Sequence, residues 1–270
     1  MSRSGTPVVF VHGLWLHAES WDPWVERFRE AGYAPAAPGW PGDGGNVADT
    51  RARPELVAGH GIDDVVDHHV AVIRGLEAKP IVVGHSFGGL IAQRLLAEGH
   101  AAAAVAIDAA PIKGVLALPL SALRVASVAL RNPANRNRAV SLTPKQFRYG
   151  FGNALSAQES QELYERWTIP SPGKPLFEAA FANFSPRSPA AVRMDGTRGP
   201  LLLTAGGRDH TVPPAITKAT RRLHRKSSGV TDYKEFPDRG HSLCIDSGWH
   251  EVADAVLGWL EAQPTGAQVP

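Results

Sequence analysis

The chain has 270 residues, 43% hydrophobic and 20% charged, with a formal net charge of +2. That length suits one large α/β domain with an insertion, or two small domains, and the composition is ordinary for a globular protein. A single cysteine, Cys244, excludes an intramolecular disulfide framework, and so small a net charge gives no reason to expect a nucleic-acid partner. The stretch Met1 to Thr6 is too short and polar to read as a secretory signal. The most apolar stretch, Ala101 to Leu120, is broken by Asp108, Pro111, Lys113 and Pro119, so no membrane span is expected. The chain is read as cytoplasmic, without internal repeats.

Strands and helices are predicted to alternate. Val8 to Val11 is a short apolar strand. Trp21 to Ala31 has helical periodicity, with Trp21, Trp24, Val25 and Phe28 on one face. Tyr33 to Ala37 is a second strand, closed by the Pro38-Gly39-Trp40-Pro41-Gly42 turn cluster. Ile62 to Leu76 repeats apolar residues at a helical period. Ile81 to Val83 is a third strand and Gly89 to Glu98 the helix after it. Ala103 to Ile107 is a fourth strand, ending at Asp108. The remaining strands are Leu201 to Ala205 and Val230 to Phe236, and the remaining helices Ala215 to Arg225 and Trp249 to Glu261. Strands apolar on both sides suit a parallel sheet covered by helices on both faces.

The alternation stops between Asp108 and Leu201. Pro111 to Arg198 reads as helices and loops: Leu120 to Leu130, a helix to Trp167 opened by the capping box Ser156-Ala-Gln-Glu159, and Pro175 to Phe184. The expected organisation is therefore a core of residues 1–110 and 199–270 with a helical cap, 111–198. A cap inserted there would cover the strand C-termini, where ligands bind in open α/β sheets. This segment holds twelve Lys/Arg against five Asp/Glu, a net +7 within a chain of +2. The simplest reading is a solvated basic face. A sharper one is that the cap attracts anionic substrates or touches an anionic surface.

Chemistry is concentrated in Gly84-His85-Ser86-Phe87-Gly88. A strand running into this turn and a helix leaving it is the setting in which G-x-S-x-G forms a nucleophile elbow. A serine hydroxyl is a poor nucleophile at neutral pH. It needs a histidine base, and that histidine a carboxylate to fix its tautomer and stabilise its cation. Asp209 follows one strand and His241 follows the next, in the chain order Ser, Asp, His. Asp108, which ends the fourth strand, is the rival acid. Asp209 is favoured because it sits in Gly206-x-x-Asp209-x-x-Val212-Pro213. An oxyanion hole needs two backbone donors. Phe87 N–H is one, and Leu14 N–H, in the loop after His12-Gly13, is the other.

These segments together resemble the α/β-hydrolase fold proteins, in the branch with an H-G motif after its first strand and a helical cap. The resemblance spans nearly the whole chain. It rests on His12-Gly13, on Gly84 to Gly88, and on Asp209 with His241. It implies Ser86 as nucleophile, Asp209 as acid, His241 as base, and a doubly wound, mostly parallel sheet. Family members usually carry an antiparallel hairpin before the H-G strand. Few residues precede that strand here, so a sheet of six parallel strands is expected.

The function expected is cleavage of small hydrophobic carboxylic esters through an acyl-enzyme, without metal or organic cofactor. A lactonase, thioesterase, amidase, C–C hydrolase or cofactor-free lyase would use the same groups, and a non-catalytic small-molecule receptor would keep them. Absence of an aspartate nucleophile argues against haloalkane dehalogenase and epoxide hydrolase. Trp15 is placed at the active site by its position after the oxyanion loop. His12 is read as a loop anchor beside substrate, and the cap aromatics Phe147 and Trp167, with Tyr149, Phe151, Phe177 and Phe181, as either the cap's own small core or the acyl pocket. Asp64, His68 and His69 lack a further ligand at metal spacing and read as an exposed helix surface. His85 reads as a packing residue, His210 and His250 as local polar contacts, and Cys244 as a buried small apolar residue.

Overall fold

The computed structural model describes residues 5–263. Most of the polar N-terminal stretch discussed above lies outside them. In chain order the elements are β1 (Pro7–Val11), α1 (Asp22–Glu30), β2 (Ala34–Ala36), α2 (Val47–Ala52), α3 (Ile62–Arg74), β3 (Ile81–His85), α4 (Phe87–Ala97) and β4 (Ala103–Ile107). Then come α5 (Leu120–Leu130), β5 (Ala139–Val140), α6 (Pro144–Gly150), α7 (Ala157–Trp167), β6 (Ser171–Pro172) and α8 (Lys174–Ala180). The chain closes with β7 (Leu201–Gly206), α9 (Pro214–His224), β8 (Thr231–Phe236) and α10 (Trp249–Ala262).

Six strands form one parallel sheet in the order β2-β1-β3-β4-β7-β8, as the apolar pattern predicts. Every residue of β3 and β4 is buried, because helices cover both faces. From β1 the chain first moves outward to β2, then returns to place β3 on the other side of β1. This reversal opens a crevice at the C-terminal ends of β1 and β3. It sets the H-G loop beside the elbow.

The edge strands depart from the expectation of strands apolar on both sides. In β2 the flanking alanines are exposed, and β8 is mostly half-buried, with Lys234 exposed. Each has one neighbour, so part of its surface faces water. Pro35 fits in β2 because an edge strand can spare a donor. Beneath the sheet, Phe10 stacks on Trp21 at 5.0 Å and meets Phe28 edge-on at 5.1 Å. Each such buried phenylalanine contributes about 1.5–3 kcal/mol.

The segment between β4 and β7 is helical in the main, with three corrections. It also holds a two-stranded antiparallel ribbon, Ala139–Val140 with Ser171–Pro172, too short to show a period of two in the sequence. The helix expected to reach Phe184 stops at Ala180 and continues as a 3-10 turn over Ala182–Phe184, where Asn183 takes the Gly114 N–H and donates to the Val115 carbonyl. Only half of the capping box at Ser156 forms: its hydroxyl accepts from Glu159 N–H, while the Glu159 carboxylate turns away to accept from Ser247 N–H at 2.8 Å. A full box caps α6 instead, between Thr143 and Gln146. The short helices α2 and α6 carry too few turns to have stood out.

This segment shares the hydrophobic core of the sheet domain and is also tied to it by polar contacts. Trp15 N–H donates to Ser171 Oγ at 2.6 Å, Ile169 N–H to the Trp15 carbonyl at 3.1 Å, and His17 N–H to the Trp167 carbonyl at 3.1 Å. Arg51 Nε donates to the Thr168 carbonyl at 2.8 Å, and Ile62 N–H to Glu178 Oε2 at 2.7 Å. On the Asp209 loop, Thr211 Oγ1 donates to the Gly150 carbonyl at 2.8 Å. No described helix is long and apolar enough to cross a membrane.

Candidate active site

Ser86 stands between β3 and α4 with φ 55° and ψ −119°, a left-handed conformation that costs a non-glycine residue energy. Neighbouring backbone holds it there. Its N–H donates to the Ile107 carbonyl at 2.9 Å, and its carbonyl accepts from Ala110 N–H at 2.9 Å and Gly89 N–H at 3.0 Å. The flanking glycines are required by close approach. A Cβ on Gly84 would sit 2.0 Å from the Gly88 carbonyl oxygen, and one on Gly88 2.0 Å from the Val11 carbonyl oxygen. The elbow is therefore wedged directly against the end of β1.

Across it lies the H-G loop. A Cβ on Gly13 would be 2.7 Å from Ser86 Cβ and 3.4 Å from Ser86 Oγ, so glycine lets this backbone reach the serine. The N–H groups of Leu14 and Phe87 have no protein acceptor among the described residues. Phe87 is the first residue of α4, so its N–H is one of the donors that a helix start leaves open. His12 holds the loop from behind: its ring stacks on Trp40 at 5.3 Å and its Nε2 lies 3.0 Å from Asp43 Oδ2. That contact is close in distance but lacks hydrogen-bond alignment, so it is an electrostatic one. Trp40 Nε1 in turn donates to the His12 carbonyl at 3.1 Å.

The loops after β7 and β8 bring Asp209 and His241 together. His241 Nδ1 lies 2.6 Å from Asp209 Oδ2, a hydrogen bond in which the imidazole donates. Asp209 Oδ1 accepts from Thr211 N–H at 2.6 Å and Val212 N–H at 2.8 Å. Burial pushes the Asp209 carboxyl up, but the His241 charge, the His241 donor and the Val212 N–H outweigh it and hold the group below the usual carboxylate range. His241 Nε2 is buried without a partner among the described residues. The three residues are nearly closed off from water, with Ser86 4% exposed, Asp209 3% and His241 0%.

Asp108, the rival acid, lies in the same cluster. One ligating atom each of Asp108, Asp209 and His241 lies within 4.8 Å of the others. It is Asp209 that takes the hydrogen bond from His241. That 2.6 Å contact is a proton-bridged pair, which fits orientation of a base better than a shared metal. His85 does more than pack. Its Nε2 donates to the His241 carbonyl at 2.9 Å, and the two rings lie 4.5 Å apart. Burial, and then the His241 charge, push the His85 imidazole well below its ordinary value, so it is neutral. Its place directly before the serine was the only sequence signal.

The aromatic residues divide. Phe151 meets the His241 ring edge-on at 4.7 Å and is the segment's aromatic that reaches the site. Phe147 stacks behind it at 5.0 Å. Trp15 is buried against Phe151, and its indole N–H donates to the Val140 carbonyl at 3.0 Å, so it joins the loop to the inserted segment. Trp167 lies elsewhere: it lines a surface cavity of about 500 Å³ with Ser20, Pro23, Arg166 and Trp249, away from Ser86. A second cavity of about 340 Å³ is bordered by Arg124, Arg131 and Lys145, also without Ser86. His69 corrects the reading of an exposed His/Asp surface. It is fully buried, with Nδ1 bonded to the Val65 carbonyl at 2.8 Å, while Asp64 caps α3 through Gly61 N–H. His210 bonds the Tyr149 carbonyl, and His250 stacks on Trp249. Burial raises the Cys244 thiol well above its ordinary value, so it is no nucleophile.

A strained serine on an elbow, two open N–H groups and a His–Asp pair on one sheet edge define a class, and sequence comparison agrees with it. The model of the Alpha/beta hydrolase family matches residues 8–255, and the chain belongs to that family. Among curated proteins it is 32% identical over 177 residues to a non-heme chloroperoxidase from Streptomyces lividans, covering 62% of this chain and 60% of that protein. It is 34% identical over 88 residues to an (E)-2-((N-methylformamido)methylene)succinate hydrolase from Acinetobacter baylyi, covering 32% of this chain and 30% of that protein. The matches thus span less than two thirds of the length of these relatives. Among solved structures, a methylesterase from Arabidopsis superposes with a TM-score of 0.64 at 16% identity, covering 96% of this chain and all of its own. A monoacylglycerol lipase from Paleococcus ferrophilus superposes with a TM-score of 0.61 at 22% identity, covering 96% of each chain. At such identities these two establish likeness of fold alone.

Proposed function

We propose that this protein is a serine hydrolase that cleaves carboxylic esters of small hydrophobic substrates through an acyl-enzyme. The observation that carries the reading is Ser86 held at φ 55° beside Gly13, on the same sheet edge as a His241–Asp209 pair spaced at 2.6 Å. Ser86 Oγ attacks the ester carbonyl while His241 Nε2 takes its proton. The oxyanion is received by the N–H groups of Leu14 and Phe87. His241 then protonates the leaving alkoxide, and the acyl group stays on Ser86. Water, deprotonated by His241, attacks the acyl-enzyme; the acid leaves and Ser86 recovers its proton. Asp209 keeps its charge throughout and stabilises the imidazolium. The serine–histidine bond of such sites is often long in the free enzyme and tightens with substrate.

Residues 1–110 and 199–270 form the catalytic core in this reading, and 111–198 the cap. Structural relatives named as a methylesterase and a monoacylglycerol lipase support ester chemistry by analogy. No metal or organic cofactor takes part in the steps above. A single buried cysteine fits a cytoplasmic location. The test is hydrolysis of p-nitrophenyl acetate and butyrate, with labelling by a fluorophosphonate. Ser86→Ala is expected to lower kcat/KM by about 10⁴-fold and abolish the label. Wild-type protein that neither turns over these esters nor takes the label would overturn the reading.

A further inference from the structure

We propose that Asp108 is a positioning residue for this site: its buried carboxyl group keeps its proton at neutral pH and donates a hydrogen bond through it to Asp209, so that His241 faces one negative charge rather than two. The inference rests on the reading of Ser86, His241 and Asp209 as a triad. It starts from the placement of Asp108 at the end of β4, with φ 44° although it is not glycine and no accessible surface at all. Its Oδ1 accepts the Gly206 N–H at 3.0 Å. Its Oδ2 has no conventional donor, yet lies in the cluster with Asp209 and His241. Two carboxylates at such spacing, both out of water, cannot both ionise, so one of them retains a proton.

The donor count decides which. Asp209 receives the His241 Nδ1–H and the N–H groups of Thr211 and Val212, all of which stabilise its charge. Asp108 receives the Gly206 N–H. The other titratable groups around it are Asp246, which is paired with Arg239, the Cys244 thiol and the Tyr233 phenol; the His241 imidazole, in the same cluster, gives its Nδ1–H to Asp209 rather than to Asp108. Burial, and then the charge of Asp209, push the Asp108 carboxyl well up. With the proton on Asp108, the otherwise orphaned oxygen becomes a donor, and Asp209 is the acceptor in reach. The Asp209 carboxylate is then held by donors on both oxygens and presents a fixed lone pair to His241. An ionised Asp108 would instead raise the basicity of His241 and repel Asp209 from its place.

The experiment compares Asp108→Asn, which stays neutral and keeps an N–H donor and a carbonyl acceptor, with Asp108→Ala, which keeps neither. Expected for Asn is kcat/KM for p-nitrophenyl butyrate within about threefold of wild type, with the acid limb of the pH profile unmoved. Expected for Ala is a fall of about tenfold in kcat with KM little changed. An infrared difference between wild type and Asp108→Asn at neutral pH is expected to show the C=O stretch of a protonated carboxyl group in the wild type. In wild-type protein alone, with ¹³C-labelled aspartate, that band should persist above neutral pH, which keeps a result in hand if the variants fold poorly. Absence of the band, or an acid limb that moves to lower pH in Asp108→Asn as a removed negative charge would cause, overturns the proposal. The infrared measurement needs no turnover. A failure of the esterase reading, seen with Ser86→Ala, is therefore distinguished from a failure of this one.

Discussion

The parallel sheet and the segment between β4 and β7 are built by different means. In the sheet domain, β3 and β4 are wholly buried, and backbone meets backbone at contacts only glycine permits. The inserted segment is made of short helices, and it leaves Leu118 71%, Leu120 85% and Phe184 83% exposed. Single hydrogen bonds such as that from Trp15 N–H to Ser171 Oγ at 2.6 Å fasten it to the sheet domain, and its buried residues, Phe147 and Phe151 among them, join the same hydrophobic core. The groups proposed for chemistry sit on the sheet domain, and Phe151, which covers His241, sits on the inserted segment.

That contrast can be broken by experiment. The largest effect is expected from His241→Ala, a loss of about 10⁴-fold in kcat/KM for p-nitrophenyl butyrate with a nearly unchanged Tm; a loss below about tenfold would remove His241 from the chemistry. Next is Gly88→Ala, whose new methyl would lie 2.0 Å from the Val11 carbonyl oxygen. It should cost about 3 kcal/mol or more in urea unfolding, whereas Leu118→Ser in the inserted segment should shift stability by less than about 0.5 kcal/mol. Equal costs would erase the distinction.

Stability should also fall in mild acid. His69 is held at about 4 and His224 at about 3, against an ordinary 6.5, and in both the first cause is burial of a ring that must stay neutral. Unfolded chains bind those protons more readily. The stabilisation is therefore complete above about pH 6.5 and is lost as pH falls towards the two folded values, by up to about 1.4 kcal/mol per pH unit for each histidine. His69→Gln should flatten that slope in urea unfolding across about pH 4 to 7. The smallest effect expected is from Phe151→Leu, which should change the ratio of kcat/KM between acetate and butyrate esters by about three- to tenfold while fluorophosphonate labelling persists. An unchanged ratio would mean that the segment does not contribute to specificity.

Much of the sheet domain was legible because its signals are local. Short apolar runs bounded by turn residues marked the strands to within a residue or two, and the turn glycines marked the elbow. The edge strand β8, Thr231 to Phe236, was read at nearly the right place but as more apolar than it is, since the sequence does not say which strands lack a second neighbour. Ala139–Val140 and Ser171–Pro172 were invisible, because two residues carry no period. The sequence singled out Phe147 and Trp167 among the aromatic residues of the segment, and it could not rank them against Phe151 for a related reason. All the aromatic residues of the segment look alike in sequence, and helix packing alone decides that Phe151 meets His241 while Trp167 faces a surface cavity.

The sequence by itself determined the class of fold and the strained turn at Ser86, and it singled out the partners proposed for that serine, since glycine, strand and loop chemistry are written within a few residues of each. Only the tertiary structure gives the hydrogen bond from His241 to Asp209 rather than to Asp108. Both end strands, and both are buried in one cluster. What separates them is the set of donors that the folded chain aims at each. Asp209 receives an imidazole and two amides, Asp108 one amide and the repulsion of its neighbour. Such a difference arises only when β4, β7 and β8 are laid side by side, because the energy of a buried charge depends on what surrounds it and not on its own place in the chain.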